Sequence, residues 1–336
     1  MERSGEKKLA VIILNWNGIN LLKEFLPTAV AFTSGEEVDL IVADNGSTDG
    51  SAEWIQENCQ EVKLIRFEKN YGFAEGYNRA ISATRYPFTI LLNSDVEVTR
   101  GWWQPLLSFM ERNEDVGAVQ PKIKSYKSRE YFEYAGAAGG YIDNLGYPYC
   151  RGRLFDKIEK DTGQYDTGPV DVCWASGAAL MVRTELYLRL GGLDRLFFAH
   201  MEEIDLCCRM LTKGYRVCAL TDSEVYHVGG ASLAQGNPKK TYLNFRNNLL
   251  LLYKNLPEKT GKRKLILRRL TDTLAFLMFV AKLDFANAGA ILKAHSDFRK
   301  MRDNEYKDYE RPVELSKFPG SERNIVFDRY VRRKEK

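Results

Sequence analysis

The chain has 336 residues, of which 44% are hydrophobic and 28% are charged, with a formal net charge of +4. These values are typical of a soluble globular protein with one large core or two modest ones. Because the first eight residues are polar and the apolar run after them is short, we expect no secretory signal peptide. The six cysteines include no CxxC pair, so we expect reduced thiols in the cytosol, with neither a disulfide framework nor a zinc site.

The charge is unevenly distributed along the chain. From Glu258 to the C-terminus, 20 Lys and Arg stand against 12 Asp and Glu, so this segment is basic and the remainder is acidic. A basic tail on an acidic body suggests two parts with different partners. We therefore predict a body at residues 1–240 and a helical, basic extension at residues 241–336.

Apolar runs alternate with helical patterns in the first part of the body. Each predicted strand is followed by apolar residues at helical spacing or by a turn cluster that opens a helix. Such alternation implies right-handed βαβ units and a parallel sheet, so the expected fold class is α/β. The predicted strands are Leu9–Leu14, Val38–Ala43, Val62–Phe67 and the run from Thr89 to Asn93, and a helix is expected at Trp102–Arg112.

Polar loops follow the carboxyl ends of these four strands, at Asn15, Asp44, Asn70 and Asn93. In a parallel sheet these ends meet at one rim, and ligands of open α/β sheets bind there. Asp95 at this rim is placed to hold a divalent cation through oxygen. An ordinary turn at residues 93–95 is the alternative interpretation.

The rest of the body is less regular. Residues 122–169 carry many Gly and Tyr with little periodicity, which favours irregular structure or hairpins over the rim. After them the chain is predicted to return to the core at Asp171–Val182. A short helix follows, with Thr184 as its N-cap and its end at Gly191–Gly192, and then a helix over Glu202–Arg209 that is stopped by Gly214. A short strand at Arg216–Ala219 and a closing segment at Tyr226–Gly230 complete the body.

Three groups of residues in this pattern can carry chemistry. Asp44 with Asn45 and Ser47 could accept a hydrogen bond from the imide N–H of a uracil or thymine, or could simply stabilise its own turn. Glu202 and Glu203 suit the helix dipole, yet burial beside aromatic residues would raise their pKa toward that of a general base. His227 is either a structural histidine or, with Asp95, part of a metal or diphosphate site.

Taken together, these motifs resemble the family-2 glycosyltransferases of the GT-A fold, and within them the bacterial rhamnosyltransferase-like branch. The resemblance covers about Leu9 to Ser232. It rests on the ordered set Asn15-Trp16-Asn17, Val42 to Ser51, Asn70-Tyr71-Gly72-Phe73, Asn78-Arg79, Asn93-Ser94-Asp95, Ser176-Gly177-Ala178, Glu202 to Arg209, and His227.

The resemblance implies a GT-A catalytic domain at residues 1–240 and assigns roles to its rim. Asp44 would hold the nucleotide base, and Asp95 would be the metal-binding aspartate of the DxD motif, with His227 as a second metal-site residue and Mg²⁺ or Mn²⁺ as the ion. Asn93 replaces the first aspartate of DxD, so the resemblance does not extend to direct metal contact there. The donor-binding set is Asn15, Asn17, Asp44, Asn45, Ser47, Asn70, Gly72, Asn78, Arg79, Asn93, Ser94 and Asp95, and Trp174, Ser176 and Gly177 lie on the acceptor side.

The implied activity is inverting, metal-dependent hexosyl transfer in cell-surface polysaccharide synthesis. A sugar would pass from a nucleoside-diphosphate sugar, such as dTDP-rhamnose or a UDP-sugar, to a hydroxyl of a glycan or polyprenyl-diphosphate-linked acceptor. The family's catalytic aspartate is matched here by Glu203, with Glu202 as the alternative base. We expect no nucleic acid partner, and a cytoplasmic location that includes the inner face of the cytoplasmic membrane.

Two enzyme classes are set aside on sequence grounds. A dinucleotide-dependent oxidoreductase would carry a G-x-G-x-x-G loop after its first strand, where this chain has Asn15-Trp16-Asn17-Gly18. A sugar nucleotidyltransferase would carry a Gly-rich loop with a basic residue at the same place, which is also absent. A catalytically inactive nucleotide-sugar or carbohydrate-binding protein of the same fold remains the alternative function.

The basic extension permits two interpretations. Five cations lie within Lys262–Arg269, and Leu267, Leu270, Leu274, Leu277 and Ala281 recur at helical spacing. The uncharged runs are far shorter than the roughly 20 residues that a membrane span requires. Such a helix could lie on an anionic membrane surface, or it could pack its apolar stripe on the catalytic body.

Overall fold

The computed structural model describes residues 7–229, 236–312, 318–325 and 327. Gly230 and Ser232, at which we placed the ends of the closing segment and of the resemblance, lie outside these ranges. The strands are β1 Leu9–Asn15, β2 Val38–Asp44, β3 Lys63–Arg66, β4 Phe88–Leu92, β5 Val96–Val98, β6 Val116–Ser125, β7 Gly140–Ile142, β8 Pro148–Cys150, β9 Arg153–Leu154, β10 Lys157–Ile158, β11 Val170–Asp171, β12 Ala179–Arg183 and β13 Arg216–His227.

The helices alternate with the first strands and then accumulate at the C-terminal end. They are α1 Ile19–Phe32, α2 Ser51–Asn58, α3 Phe73–Ser82, α4 Gln104–Arg112, α5 Thr184–Arg189, α6 Glu202–Thr212, α7 Pro238–Asn255, α8 Glu258–Ala281 and α9 Phe285–Asn304, with a 3₁₀ turn at Arg195–Phe197.

The main sheet has the strand order β11-β13-β6-β12-β4-β1-β2-β3, with β5 pairing to β13. Strands β4, β1, β2 and β3 are parallel, as the sequence predicted. Strand β12 runs antiparallel to both of its neighbours and joins this parallel half to the pair β6 and β13, which are parallel to each other. The predicted α/β fold with a mostly parallel sheet flanked by helices is confirmed.

This topology brings the predicted loops to one rim. The register pairs Asn15 with Asp44 and Asp44 with Arg66, so the ends of β1, β2 and β3 are level. Strand β4 pairs with β1 in the same direction and ends at Leu92, directly before Asn93. The first strands are apolar and buried on both faces, which explains why they read as continuous hydrophobic runs.

The region at residues 122–169 contains a second, smaller sheet. Strands β7 to β10 form an antiparallel sheet of four short strands, in agreement with the expected hairpins. The start of the region differs from the expectation, because Lys122–Ser125 continues β6 rather than beginning a loop. Strand β6 can extend this far because β13 pairs with it again after an irregularity near Leu220.

Two local predictions were wrong. The strand predicted at Arg216–Ala219 runs on to His227 because its second half pairs with both β5 and β6, so Tyr226 and His227 belong to a strand. Thr184 is the first residue of α5 rather than its N-cap, and its hydroxyl bonds with that of Thr89 at 2.9 Å. The six cysteines are buried free thiols, as expected.

The C-terminal helices pack on the body. One hydrophobic cluster includes Ile12 of β1 and Leu206 of α6 and continues through Leu250 of α7 to Phe298 of α9. Within the described part of the chain, no helix is long and apolar enough to cross a membrane. The division between residues 240 and 241 falls inside α7 and stays a prediction.

Candidate active site

Asp44 ends β2 at the centre of the rim and is almost fully buried. Its Oδ1 accepts a hydrogen bond from Asn15 Nδ2 at 3.1 Å, and its Oδ2 accepts one from the Ser47 amide at 3.0 Å. Asn15 Nδ2 also lies 3.2 Å from Ser47 Oγ. The Asp44 carboxylate therefore organises its own turn, as the structural interpretation anticipated, while each oxygen keeps a lone pair for a further donor.

Asn45 joins this turn to the loop after β3. Its Nδ2 donates to Asn70 Oδ1 and to the Gly72 carbonyl, both at 3.0 Å, and its Oδ1 accepts from the Tyr71 amide at 3.0 Å. Gly46 has φ of +73°, and a Cβ there would lie 2.5 Å from the backbone of the β3–α3 loop. The two loops are thus held together as one wall of the rim.

The remaining donor-side predictions divide into surface and interior positions. Asn17 is exposed and accepts from the Thr48 amide, and Arg79 is exposed and stacks 3.9 Å from the centre of the Tyr71 ring. Asn78 faces inward: its side chain bonds the Tyr187 hydroxyl and both backbone polar groups of Leu193. We therefore place Asn78 behind the pocket as a support of its wall.

Asp95 lies between β4 and β5 with a buried side chain, and the preceding Asn93 and Ser94 are partly exposed. The His227 Nε2 is 3.1 Å from Asp95 Oδ1, and its Nδ1 is 3.6 Å from Glu133 Oε2. Burial lowers the pKa of His227, but the two carboxylates outweigh burial and raise the pKa to about 10. His227 therefore lies between two carboxylates that favour its protonated form.

The predicted metal site at Asp95 stays a prediction. Among the described residues, no group of three or more His, Cys, Asp and Glu is arranged to hold a metal ion. Mg²⁺ usually takes one or two protein carboxylates and completes its coordination with phosphate oxygens and water. Asp95 fits that role as a carboxylate at the rim. The assignment of His227 as a second residue of this site stays a prediction.

Glu202 and Glu203 open α6, and each has one buried carboxylate oxygen without a hydrogen-bond partner. Burial raises the pKa of Glu203 to about 7, and burial together with the charge of Glu203 raises the pKa of Glu202 well above its ordinary value. These shifts oppose the helix dipole, which favours ionised carboxylates at this end. The site thus contains one carboxyl group with a pKa of about 7, Glu203, beside a second whose pKa is also raised.

The two carboxyl groups face different surroundings. Glu202 is 4% exposed, and its charge acts on the buried Tyr187 of α5. Glu203 is half-buried, and a Cβ added to Gly177 would lie 3.7 Å from its Cβ and 4.0 Å from the Phe73 ring. Glu203 is therefore next to the loop before β12 and the start of α3, whereas Glu202 is turned toward the interior.

A strained backbone segment leads into these glutamates. Phe198, His200 and Met201 have φ of 69°, 68° and 74°, values that residues with a side chain rarely adopt. Each such residue costs about 1–3 kcal/mol and persists only where the surroundings enforce it. The strain fixes how the chain enters α6 and hence where Glu202 and Glu203 point.

The contacts that hold this segment come from α7 and were missed from the sequence. The buried Asn247 donates from Nδ2 to the carbonyls of Phe197, Ala199 and His200 at 2.7–3.0 Å. Arg246 donates to the Phe197 carbonyl at 2.7 Å and to Asn247 Oδ1 at 2.9 Å. The available signal was an Arg-Asn-Asn run inside a helix of leucines.

Of the residues predicted on the acceptor side, only Gly177 borders the site. Trp174 is buried and donates from its ring nitrogen to the Tyr141 carbonyl at 2.9 Å. Ser176 is buried and donates to the Ala135 carbonyl at 2.6 Å. These two side chains support the loop that carries Gly177.

A pocket of about 260 Å³ opens between the β3–α3 loop and the segment before α6. Its walls connect the donor-side loop to the strained segment. They are formed by Asn70, Tyr71, Gly72, Phe73, Ala74, Glu75, Arg195 and Phe198.

Comparison with known proteins identifies the arrangement. The model of the family described as "Glycosyl transferase family 2" matches residues 10–181, half of the chain. An N-acetylglucosaminyl-diphospho-decaprenol L-rhamnosyltransferase of Mycobacterium tuberculosis is 26% identical over 234 residues, which are 65% of this chain and 75% of that protein. Rhamnosyltransferase WbbL of Escherichia coli is 21% identical over 62% of this chain and 78% of its own.

Solved structures show the same fold at lower identity. The mannosyltransferase PcManGT of Pyrobaculum calidifontis, in complex with GDP-Man and Mn²⁺, is 15% identical and matches 88% of each chain with a TM-score of 0.55. GalNAc-T7 with UDP, GalNAc and Mn²⁺ is 15% identical and matches 90% of this chain and 57% of that chain with a TM-score of 0.62.

Proposed function

The chain belongs to glycosyl transferase family 2, and on that premise we propose that it transfers a hexose, with inversion, from a nucleoside-diphosphate sugar to a hydroxyl of a glycan or lipid-linked acceptor. The observation that carries this proposal is the half-buried Glu203, whose pKa burial raises to about 7. A carboxylate with this pKa is suited to general-base work at neutral pH.

The donor is proposed to bind along the rim from Asp44 to Asp95. The nucleobase of the donor lies at the Asp44 turn, where a carboxylate with a spare lone pair on each oxygen can accept a hydrogen bond from the imide N–H. The diphosphate lies toward Asp95, where a divalent cation would supply charge neutralisation for the departing nucleoside diphosphate. The Mn²⁺ present in the structures of PcManGT and GalNAc-T7 supports this assignment, and Mg²⁺ and Mn²⁺ are both candidates.

The chain's own groups account for the proton transfer. The acceptor oxygen attacks the anomeric carbon, its proton passes to a Glu203 oxygen, and the bonding pair of the breaking bond leaves with the diphosphate. General-base assistance of this kind contributes about 10²–10⁴-fold. His227, whose Nε2 lies 3.1 Å from Asp95 Oδ1, would add a positive charge there when it is protonated. The remaining rate enhancement comes from positioning and electrostatic stabilisation.

The names of the relatives suggest the substrates. We propose a deoxythymidine-diphosphate rhamnose or UDP-sugar donor and a saccharide carried on a polyprenyl diphosphate as acceptor, as the similarity to the mycobacterial rhamnosyltransferase suggests. The purified protein is assayed against a panel of nucleotide sugars with Mg²⁺ or Mn²⁺ and N-acetylglucosaminyl-diphospho-polyprenol. Metal-dependent release of nucleoside diphosphate with formation of a glycosylated lipid is the expected result.

Two variants test the proposed donor site, and turnover separates the proposal from an inactive binding protein. Asp44→Ala weakens binding of the nucleoside diphosphate alone, and Asp95→Ala removes the metal dependence of that binding. Arg112→Gln, an exposed change on α4, is the control that alters neither. Tight, metal-dependent binding without turnover of any donor would make the chain a nucleotide-sugar-binding protein instead.

A further inference from the structure

Helix α8 turns its leucines away from the protein. Most surface helices bury an apolar stripe and expose charge. Here the exposed side chains include six large hydrophobic residues, each between 42% and 65% accessible: Ile266, Leu267, Leu270, Leu274, Leu277 and Met278. An exposed apolar surface of this extent marks an interaction site.

The opposite side of α8 faces the body and contains a buried ion pair. Arg268 and Asp272 are buried, and Arg268 Nη2 lies 2.9 Å from Asp272 Oδ1. Asp272 Oδ2 lies 2.9 Å from His295 of α9, and Arg268 lies 3.8 Å from the centre of the Tyr147 ring. These contacts fix the rotation of α8, so the leucines cannot turn inward without breaking a buried ion pair. The alternative in which this apolar stripe packs on the catalytic body is therefore wrong for α8.

Positive charge accompanies the exposed leucines. Between residues 259 and 283 the sequence contains one acidic residue, Asp272, and it is buried. Glu258, directly before this range, pairs with Lys262. The exposed cations of the range are Lys259, Lys262, Arg263, Arg269 and Lys282.

The turn after α8 extends the same surface. Leu283 is 76% exposed and Phe285 is 64% exposed. Leu283 has φ of +58°, at a helix end where glycine is the usual residue, and the Leu283 and Asp284 amides close the helix by bonding Val280 and Phe279 carbonyls at 2.9 Å. A leucine is thus held outward at the tip of the α8–α9 hairpin.

We propose that the outer face of α8, with the hairpin tip at Leu283 and Phe285, docks on an anionic lipid bilayer. The apolar side chains enter the region between headgroups and acyl chains, and the cations contact lipid phosphates. Helix α8 lies in the interface and does not cross the bilayer. This inference stands on the surface of α8 and does not depend on the chemistry of the transfer.

A second copy of the chain is a poorer occupant of this surface. A twofold dimer would place the same patch on both sides of the interface. Apart from Lys262, which pairs with Glu258, four exposed cations would then face four, with no exposed carboxylate in the range 259–283 to pair with them. Like charges across an interface disfavour association, whereas an anionic bilayer complements them.

The test is co-sedimentation of the full chain at low salt with vesicles of phosphatidylcholine alone or mixed with phosphatidylglycerol. We expect binding to the mixed vesicles only. Leu270→Asn combined with Leu274→Asn should lower the partition coefficient about tenfold or more. The matched control is Leu188→Asn on α5, which is 43% exposed and should bind as the wild type does.

Charge is tested separately. Arg263→Gln combined with Arg269→Gln should lower binding about fivefold for each cation removed. The control combines Lys23→Gln and Arg112→Gln. These changes remove exposed cations on α1 and α4 and should leave vesicle binding unchanged.

Leu283→Gly is a variant that we expect to fold at least as well as the wild type. Glycine relieves the positive φ, so the thermal midpoint should stay or rise while vesicle binding falls. The proposal is overturned if the wild type does not bind the mixed vesicles, or if it binds neutral vesicles equally well. It is also overturned if all the α8 variants bind as the wild type does. A wild-type dimer in sedimentation velocity that the leucine variants dissociate overturns it as well. Donor binding in vesicle-free buffer should be the same in every α8 variant, which separates failure of docking from failure of the proposed transfer.

Discussion

Helix α6 carries two kinds of buried carboxylate within four residues. Glu202 and Glu203 each leave one oxygen without a partner, and their pKa values are raised. Asp205, in contrast, accepts hydrogen bonds from Arg209 and Lys254 at 2.9 Å and from Asn255 at 2.8 Å. Burial alone raises the pKa of Asp205, but Lys254 and Arg209 outweigh burial and hold the pKa below its ordinary value.

The difference shows how one helix can carry both carboxyl groups suited to proton transfer and a carboxylate with a structural role. Glu202 and Asp205 are both buried and Glu203 is half-buried, so burial does not distinguish the paired carboxylate from the unpaired ones. What distinguishes them is the supply of cations: Asp205 has two, and neither glutamate forms an ion pair among the described residues. Perturbed carboxyl groups without a compensating charge are candidates for proton transfer, and fully paired ones are structural.

The variant Glu203→Gln tests this comparison most directly, because it keeps the shape of the side chain and removes its basicity. We expect the rate of transfer to fall about 10²–10⁴-fold while the dissociation constant for the donor stays the same. Turnover is measured by release of nucleoside diphosphate in the presence of acceptor, with Glu185→Gln on the exposed side of α5 as control. An active Glu203→Gln enzyme beside an inactive Glu202→Gln enzyme would make Glu202 the base.

Asp205→Asn tests the carboxylate to which we assign a structural role. The change leaves Lys254 and Arg209 buried without their shared anion, so the free energy of unfolding should fall by about 3–5 kcal/mol. Urea denaturation measures it. The control is Glu53→Gln, which removes a surface pair with Arg66 and should leave the denaturation midpoint unchanged. A folded Asp205→Asn enzyme that has lost turnover at unchanged stability would contradict the division of roles.

Asn247→Ala asks whether the glutamates depend on the strained segment before them. Its carbonyl partners at residues 197–200 lose their shared donor, so the backbone relaxes and Glu203 moves. We expect kcat to fall about 10- to 100-fold with little change in the donor dissociation constant. A purely structural role would lower stability alone. A positioning role also shifts the midpoint of the pH profile of kcat, because the burial of Glu203 changes.

The pH dependence sharpens the comparison further. Since the base must be ionised, kcat/KM should rise with pH through a midpoint near 7. The folded state holds the Glu203 proton more tightly than the unfolded chain does. Its contribution to stability is therefore complete below the ordinary glutamate pKa and is lost as the pH rises through about 7. Urea midpoints of wild type and Glu203→Gln from pH 4 to 8 should diverge in that sense.

The rim of the fold was predictable from the sequence because its signals are local. Each of β1, β2 and β4 is a continuous apolar run, and the polar residue that ends it, such as Asn15 or Asp44, is adjacent in sequence. Parallel pairing then determines that these ends meet. The raised pKa of Glu203 agrees with the expected effect of burial, and its role as the base stays a prediction.

The partners of these residues were not predictable, because they lie far along the chain. Glu133 approaches His227 across 94 residues from a region without periodicity, and Asn247 reaches the strained segment from a helix assigned to the extension. The rotation of α8 depends on the buried pair Arg268 and Asp272, which a helical wheel reads as surface charge. Each of these contacts is determined by tertiary packing, which local sequence patterns do not show.

The lysine that neutralises Asp205 sets a lower limit on how far the chain can be shortened. Lys254 stands near the end of α7 and also contacts Asp194, so two aspartates and the cations Lys254 and Arg209 balance in one buried cluster. A gene truncated after residue 240, at the predicted domain boundary, would encode an α6 whose aspartate had lost a cation and its amide donor Asn255. The shortest autonomous version of this enzyme should therefore end beyond Leu256, whatever the function of the helices that follow.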